Sequence, residues 1–314
     1  MTPQTVQSSL RELVSSFPEY QYLPLLSEET AGKVTFLGFS FPLNGKKASA
    51  KLYFVPERQA DNLPREIPDH LRCAMNKAIA LHSGAVLQLY DVSLEQAENG
   101  LFVGRLLWAI RSQERASERF SQIVHRLLAE LGHPAIAVPL LRINNRLRDL
   151  LHSELNPFFL LGGFLREDGS LFRVKADFDA DSCRDNDQVR YDGKRSFAAT
   201  TDLLDEFGCD SALSNSILRW IDEFQQCGYF IPYWGIHAAD NKLENVKIYL
   251  QKKSSDKNIN SLIVNRFFSA IIQNKVGCPR LPNELLCDFG WKQNVLYLEI
   301  ASGRLNSVKI YYHT

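Results

Sequence analysis

The chain has 314 residues, 36 Lys+Arg balanced by 36 Asp+Glu, and 45% hydrophobic residues. With only 23% charged and 11% aromatic residues, the composition excludes a disordered, collagen-like or coiled-coil chain. No run approaches the roughly 18 apolar residues of a membrane span. The N-terminal residues form neither a basic nor an apolar targeting segment, so a cytoplasmic protein without a membrane partner is expected.

A first helix is predicted over residues 6–17, followed by a hairpin turning at Asn44-Gly45. A second helix, residues 69–82, places Leu71, Met75 and Ile79 at helical spacing before a hairpin at Asn99-Gly100. A third sets Phe120, Ile123, Val124, Leu127, Leu128 and Leu131 on one face, stops at Gly132, and precedes a hairpin at Asp168-Gly169. Asp179 to Arg195 reads as a long mobile loop. Residues 200–208 and 214–228 are helical before a turn at Asp240-Asn241, and residues 261–273 before one at Ser302-Gly303. The order is αββ five times, at broadly even intervals, which marks a repeated supersecondary unit.

Ten strands from five antiparallel hairpins either leave an edge open or close on themselves, and closure removes the edge. The expected fold is therefore α+β: a ten-stranded antiparallel β-barrel with its helices outside. It forms one domain over residues 1–314, since no Pro/Gly/Ser-rich linker divides the chain.

The same residue types recur after the turns. Three strands read Lys-x-Tyr, at Lys51 and Tyr53, Lys247 and Tyr249, and Lys309 and Tyr311, while the third hairpin carries Arg173, Lys175 and Asp177. The second hairpin is out of step, with Arg105 and Trp108 at the corresponding places. Strand alternation puts Val246, Ile248 and Leu250, or Val308 and Ile310, on the helix side and Lys and Tyr on the other. On an open sheet that second face is simply solvated. In a barrel it is the lumen, where converging ammonium groups call for an anion. Cations beside aromatic rings suit an allylic diphosphate ester, the cations holding the leaving diphosphate and the π-faces stabilising the allylic cation, with water excluded.

These five αββ units and Lys/Arg-x-Tyr strands resemble the soluble ABBA-fold prenyltransferases. Tyr22–Leu26 and Phe36–Gly45 are similar to stretches of the cyanobactin peptide prenyltransferases. The resemblance implies a transferase moving a C5 isoprenyl group from dimethylallyl diphosphate to a side chain of a macrocyclic ribosomal peptide. It assigns Lys51, Arg105, Arg173, Lys175, Lys247 and Lys309 to the diphosphate, and Tyr53, Trp108, Tyr249 and Tyr311 to the cation shield. One departure stands out: family members place a glutamate on the first strand to orient and deprotonate the acceptor, yet residues 33–41 contain no acid. A two-residue turn at Asn44-Gly45 puts Gly38 and Phe36 opposite Lys51 and Tyr53. Glu299, Asp177 and His237 are the candidate replacements as catalytic groups, Glu299 only if the last hairpin has a three-residue loop.

Other motifs are set aside. Asp177 to Asp181 imitates the opening of a calcium loop, but Ser182 and Gln188 stand where Gly and Glu are required. The six cysteines form no CxxC pair, and there is no HExxH, P-loop or GxSxG. No metal site is expected and no cofactor is required, although Mg²⁺ is compatible with a diphosphate. Lys252, Lys253 and Lys257 read as a solvated strand end, so no nucleic-acid partner is expected. Two alternatives stand beside the peptide acceptor: a small free aromatic or amino acid as acceptor, and a non-catalytic barrel binding an anion or peptide.

Overall fold

The computed structural model of the chain describes residues 2–17, 31–32, 34–43, 49–54, 69–82, 84, 86–96, 102–165, 171–180, 184–185, 188–189, 193–252, 260–273 and 283–313. For residues 35, 49–54, 81–82, 91–96, 102–103, 184–185, 188–189, 260–262, 272–273, 283–284 and 294 it describes the backbone alone. Ten of the sheet's eleven strands build the barrel: β1 Val34–Pro42, β2 Ser49–Phe54, β3 Leu87–Gln96, β4 Phe102–Ile110, β5 Phe158–Leu165, β6 Leu171–Asp179, β7 Tyr233–Ala239, β8 Lys242–Lys252, β9 Lys292–Ala301 and β10 Arg304–His313. They pair as the five expected antiparallel hairpins. The hairpins then join in sequence, β2 to β3, β4 to β5, β6 to β7, β8 to β9, and finally β10 back to β1. Each of these ten strands thus has two neighbours among them and the pairings run in a ring; the eleventh strand, Tyr229–Phe230, pairs with the end of β8.

The turn chemistry follows the sequence where it is described. Asp240 and Asn241 have φ of 48° and 61°, and Ser302 and Gly303 of 50° and 67°, the positive values that a tight two-residue hairpin turn requires. The other three turn dipeptides, at Asn44, Asn99 and Asp168, lie outside the described residues.

The helices are α1 Pro3–Ser16, α2 Asp69–His82, α3 Phe120–Glu130, α4 Ala137–Leu151, α5 Gly193–Glu206, α6 Ser211–Gln226, α7 Asn260–Phe268 and α8 Asn283–Asp288. Their apolar faces, such as Leu10 and Leu13 of α1, Val124 and Leu128 of α3 and Ile217 and Phe224 of α6, share one continuous core with alternate strand residues: Phe39, Val174, Ile236, Val246, Leu298 and Ile310. The intervening strand residues form a second, separate cluster of Tyr249, Tyr297 and Tyr311 with Phe36, Tyr233 and Val295 against it. One set of side chains therefore faces the helices and the other faces the barrel interior.

Three features differ from the sequence reading. Helix α4 is additional, as are α8 and the single helical turn Ser112–Arg115. Pro139 sits in the first turn of α4, where no backbone donor is lost. Buried Asn144 in its middle donates to Asn156 Oδ1 at 2.8 Å and accepts from the Phe158 backbone N–H at 3.0 Å, tying the helix to the start of β5. The stretch from Asp179 to Arg195 is not one continuous loop: Arg184–Asp185 pairs with Gln188–Val189, and α5 begins at Gly193. Finally, the last hairpin has a two-residue turn. Ile300 pairs with Leu305 but Glu299 with Ser307, so Asn306 is an extra residue in β10. That bulge brings Glu299 and Tyr297 onto the same face as Lys309 and Tyr311, the role expected of a longer loop. Cys73, Cys209, Cys227 and Cys287 are free thiols, and Cys183 and Cys278 lie outside the described residues.

Candidate active site

Strand register stacks the interior side chains in rows. Nearest the helix-connected end of the barrel, Tyr249 lies opposite Tyr297, Tyr297 opposite Lys309 and Lys309 opposite Ser40. The next row runs Asp177, Gly235, Lys247, Glu299, Ser307. Beyond it come Lys175, His237 and Asn245, and then, towards the tight turns, Arg105, Phe164 and Arg173. The alternation of β6, β7, β8, β9 and β10 alone produces this arrangement, since each supplies every second residue.

The aromatic part is a chain of rings. Tyr233 and Tyr249 lie with centroids 4.3 Å apart, Tyr249 and Tyr297 4.9 Å, and Tyr297 and Tyr311 5.6 Å. Cations lie against the faces: Lys175 Nζ is 5.3 Å from the Tyr249 centroid, Lys247 Nζ 4.8 Å and Lys309 Nζ 5.4 Å from that of Tyr297. Two glycines make room for this stack. A Cβ on Gly38 would lie 2.6 Å from Tyr311 Cε1, and one on Gly235 2.6 Å from Asp177 Oδ1 and 3.1 Å from Tyr249 Cε2. Burial, then Asp177 and the neighbouring tyrosines, push the Tyr249 hydroxyl well above the ordinary phenol value, so the ring stays a neutral phenol.

The charged part is arranged in pairs. Lys175 Nζ donates to Asp177 Oδ2 at 2.7 Å, and Lys247 Nζ lies 3.2 Å from Glu299 Oε2 and 3.3 Å from the Tyr297 hydroxyl. Arg173 Nε lies 2.6 Å from Glu244 Oε2. Burial would raise the Glu299 carboxyl, but Lys247, Lys309 and the Asn306 amide, donating to Oε1 at 2.8 Å, outweigh it and lower the carboxyl to about 2. Burial pushes Lys247 well below the usual lysine range, with Lys309, Lys175 and Arg173 adding to the push and Glu299 opposing it. Glu299 is thus the fixed counter-ion of Lys247, with both its oxygens engaged, and is not a free proton acceptor. Asp177, 1% exposed, keeps Oδ1 without a hydrogen-bond partner; Asn245 Oδ1, Ser307 Oγ and both ring nitrogens of His237 are likewise buried and unpartnered among the described residues.

The expected site residues fall into three groups. Arg105, Arg173, Lys175, Lys247, Lys309, Tyr249 and Tyr311 belong to the strands' interior rows, with Asp177, His237 and Glu299 among them. Lys51 and Tyr53 pair through their backbones with Gly38 and Phe36, as the turn rule requires, and their side chains lie outside the described residues. Trp108 is a correction. It is fully buried beside Leu106 and Ile110 in the core against the helices, because it is an odd number of residues from inward Arg105. The sequence reading overlooked Tyr297 and Tyr233. The signal was present: Tyr297 lies two residues before Glu299, so any register that turns one inward turns both. Asp177 to Asp181 contains no calcium loop in its described part, since Asp177 and Asp179 belong to β6 and Asp179 accepts from Arg115 at 3.1 Å. Among the described residues no three His, Cys, Asp or Glu side chains converge on a metal-sized point.

No family model and no curated protein matches the sequence. Solved structures do match the fold. AnaPT from Neosartorya fischeri aligns over 90% of this chain and 78% of its own, with a TM-score of 0.51 at 11% identity. NotF prenyltransferase aligns over 92% and 82%, with a TM-score of 0.51 at 11% identity. The 6-dimethylallyltryptophan synthase from Micromonospora olivasterospora, solved in complex with DMASPP and Trp, aligns over 96% and 86%, with a TM-score of 0.51 at 13% identity. What this chain shares with them is the fold, the αββ barrel of the ABBA prenyltransferases.

Proposed function

We propose that the chain is a prenyltransferase that moves a dimethylallyl group from dimethylallyl diphosphate to a small, neutral aromatic acceptor. The observation that carries this reading is the contiguity of a buried cation cluster with a four-tyrosine stack inside a ring of strands. Lys175, Lys247 and Lys309, with Arg105 and Arg173 beyond them, hold the diphosphate as the C1–O bond breaks and its electrons move to oxygen. The faces of Tyr249, Tyr297 and Tyr311 stabilise the allylic cation. The acceptor attacks C1 or C3 of that cation, and its proton passes to Asp177 Oδ1, a buried carboxylate oxygen left unpartnered in the site.

The acceptor reading follows from charge. Asp177 and Glu299 are each already paired with a lysine, so neither carboxylate is free to serve as the counter-ion of a cationic acceptor side chain. One of the similar structures, the 6-dimethylallyltryptophan synthase, was solved with Trp bound. The macrocyclic-peptide acceptor rests on the likeness of residues 22–26 and 36–45 alone. Residues 22–26 lie outside the described structure, and none of the three structures named above is described with a peptide acceptor. A nucleic-acid or other stacking surface would have to be open, whereas these rings face the interior of a closed ring of strands.

The test is incubation of the protein with dimethylallyl diphosphate and two acceptor pools, one of tryptophan, tyrosine and simple indoles and one of cyclic peptides. Mass spectrometry is expected to find an added C₅H₈ on a member of the first pool. Labelling confined to cyclic peptides would overturn the acceptor assignment, and labelling of neither the donor reading.

A further inference from the structure

His237 lies in the interior rows, and the ion pairs described above leave it without a role. It is 2% exposed, and neither ring nitrogen has a hydrogen-bond partner among the described residues. Orphaned buried imidazole nitrogens are costly, so a ligand that engages them is the physical explanation for their position. The ring lies directly opposite Lys175 on β6 and Asn245 on β8. On β5, Phe164 meets it edge to face at 5.8 Å, covering one side and offering no hydrogen bond.

The charged groups that act on it come from every neighbouring strand. Arg173, Lys175 and Asp177 stand on β6, Glu244 and Lys247 on β8, Glu299 on β9 and Lys309 on β10. Of these, Asp177 pairs with Lys175, Glu244 with Arg173 and Glu299 with Lys247. Burial, then Lys247, Arg173, Lys175 and Lys309, drive the imidazole well below the ordinary histidine value, so in the unliganded protein it is neutral. A diphosphate placed among the same cations reverses the sign of that field.

We propose that His237 is a proton-taking ligand of the donor's diphosphate: on donor binding it takes one proton from solvent, becomes an imidazolium and donates a hydrogen bond to a diphosphate oxygen. This inference rests on the donor reading above and deepens it. It explains why an uncharged residue stands in a ring of cations: a further permanent charge would repel them, and a conditional one appears only with its counter-ion. Asn245 and Ser307, whose unpartnered oxygens lie in the same and the adjoining row, complete the polar lining.

The experiment is isothermal titration calorimetry with the thiolodiphosphate analogue of dimethylallyl diphosphate, in buffers of different ionisation enthalpy, on the wild-type protein and His237→Asn. Wild type is expected to take up about one proton more per analogue bound than the variant. Its affinity is expected to fall, relative to the variant, by about tenfold per pH unit through the range where that proton is linked to binding. Inorganic pyrophosphate should give the same difference. A second readout needs no variant: the His237 ring signals of ¹⁵N-histidine-labelled wild type should move from neutral to imidazolium values on adding the analogue. Equal proton uptake by both proteins, or ring signals that stay neutral in the complex, overturns this inference and leaves the donor reading intact. Failure of wild type to bind either probe overturns the donor reading itself.

Discussion

At the scale of single residues, the site is built from buried lysine–carboxylate pairs, Lys175 with Asp177 and Lys247 with Glu299. Replacing Lys175 or Lys247 by Ala removes a charge-assisted contact to the departing diphosphate. Turnover in a prenyl-transfer assay is expected to fall well over tenfold in each, and near-normal rates in both would remove the basis of the site. Glu299→Gln leaves Lys247 buried without its counter-ion, which typically costs about 3–5 kcal/mol, so a large drop in the thermal midpoint is expected even with no substrate present. The sign of the pH dependence follows from the same pair. Because folding lowers the Glu299 carboxyl to about 2, its contribution is fully present above its unfolded value and is lost as pH falls through the acid range towards 2. The acid limb of a stability–pH curve should therefore be shallower in Glu299→Gln than in wild type. Asp177→Asn should instead uncouple the reaction: diphosphate is still released, but dimethylallyl alcohol replaces the prenylated product, which chromatography distinguishes.

At the scale of elements, regular strands did most of the placing, and the exceptions carry the information. Lys175, Lys247 and Lys309 could be read from the sequence because each occupies the same count from a turn, and a period of two then assigns the face. Trp108 faces the helices because one residue of offset reverses a face: Arg105 and Trp108 are three residues apart, so strand alternation lets only one of them turn inward. Glu299 and Tyr297 depended on a bulge at Asn306 that has no sequence signature of its own. Gly38 links two elements: it is paired with Tyr311 across the β1–β10 seam, and its missing side chain is what lets that ring lie over the sheet. Gly38→Ala is expected to tilt Tyr311 away and shift the partition from prenylated product towards hydrolysis several-fold while the fold is retained, as far-ultraviolet circular dichroism would check.

At the scale of the whole molecule, the first and last hairpins are neighbours, and one core runs through helices from α1 to α8. The chain is therefore expected to unfold as a single unit. Heating followed in parallel by near- and far-ultraviolet circular dichroism should give coincident transitions, and two separated ones would argue for independent domains. The five αββ units, their order and the inward-facing Lys175, Lys247, Lys309, Tyr249 and Tyr311 were set by the sequence alone, because hydrophobic period and turn chemistry are local properties. Which rows those side chains share, that Asp177 keeps one oxygen free while Glu299 keeps none, and that His237 stands unpartnered among four cations were decided by the tertiary structure. Cross-strand register and ring closure bring together residues more than a hundred positions apart, and no local pattern encodes the distance between them.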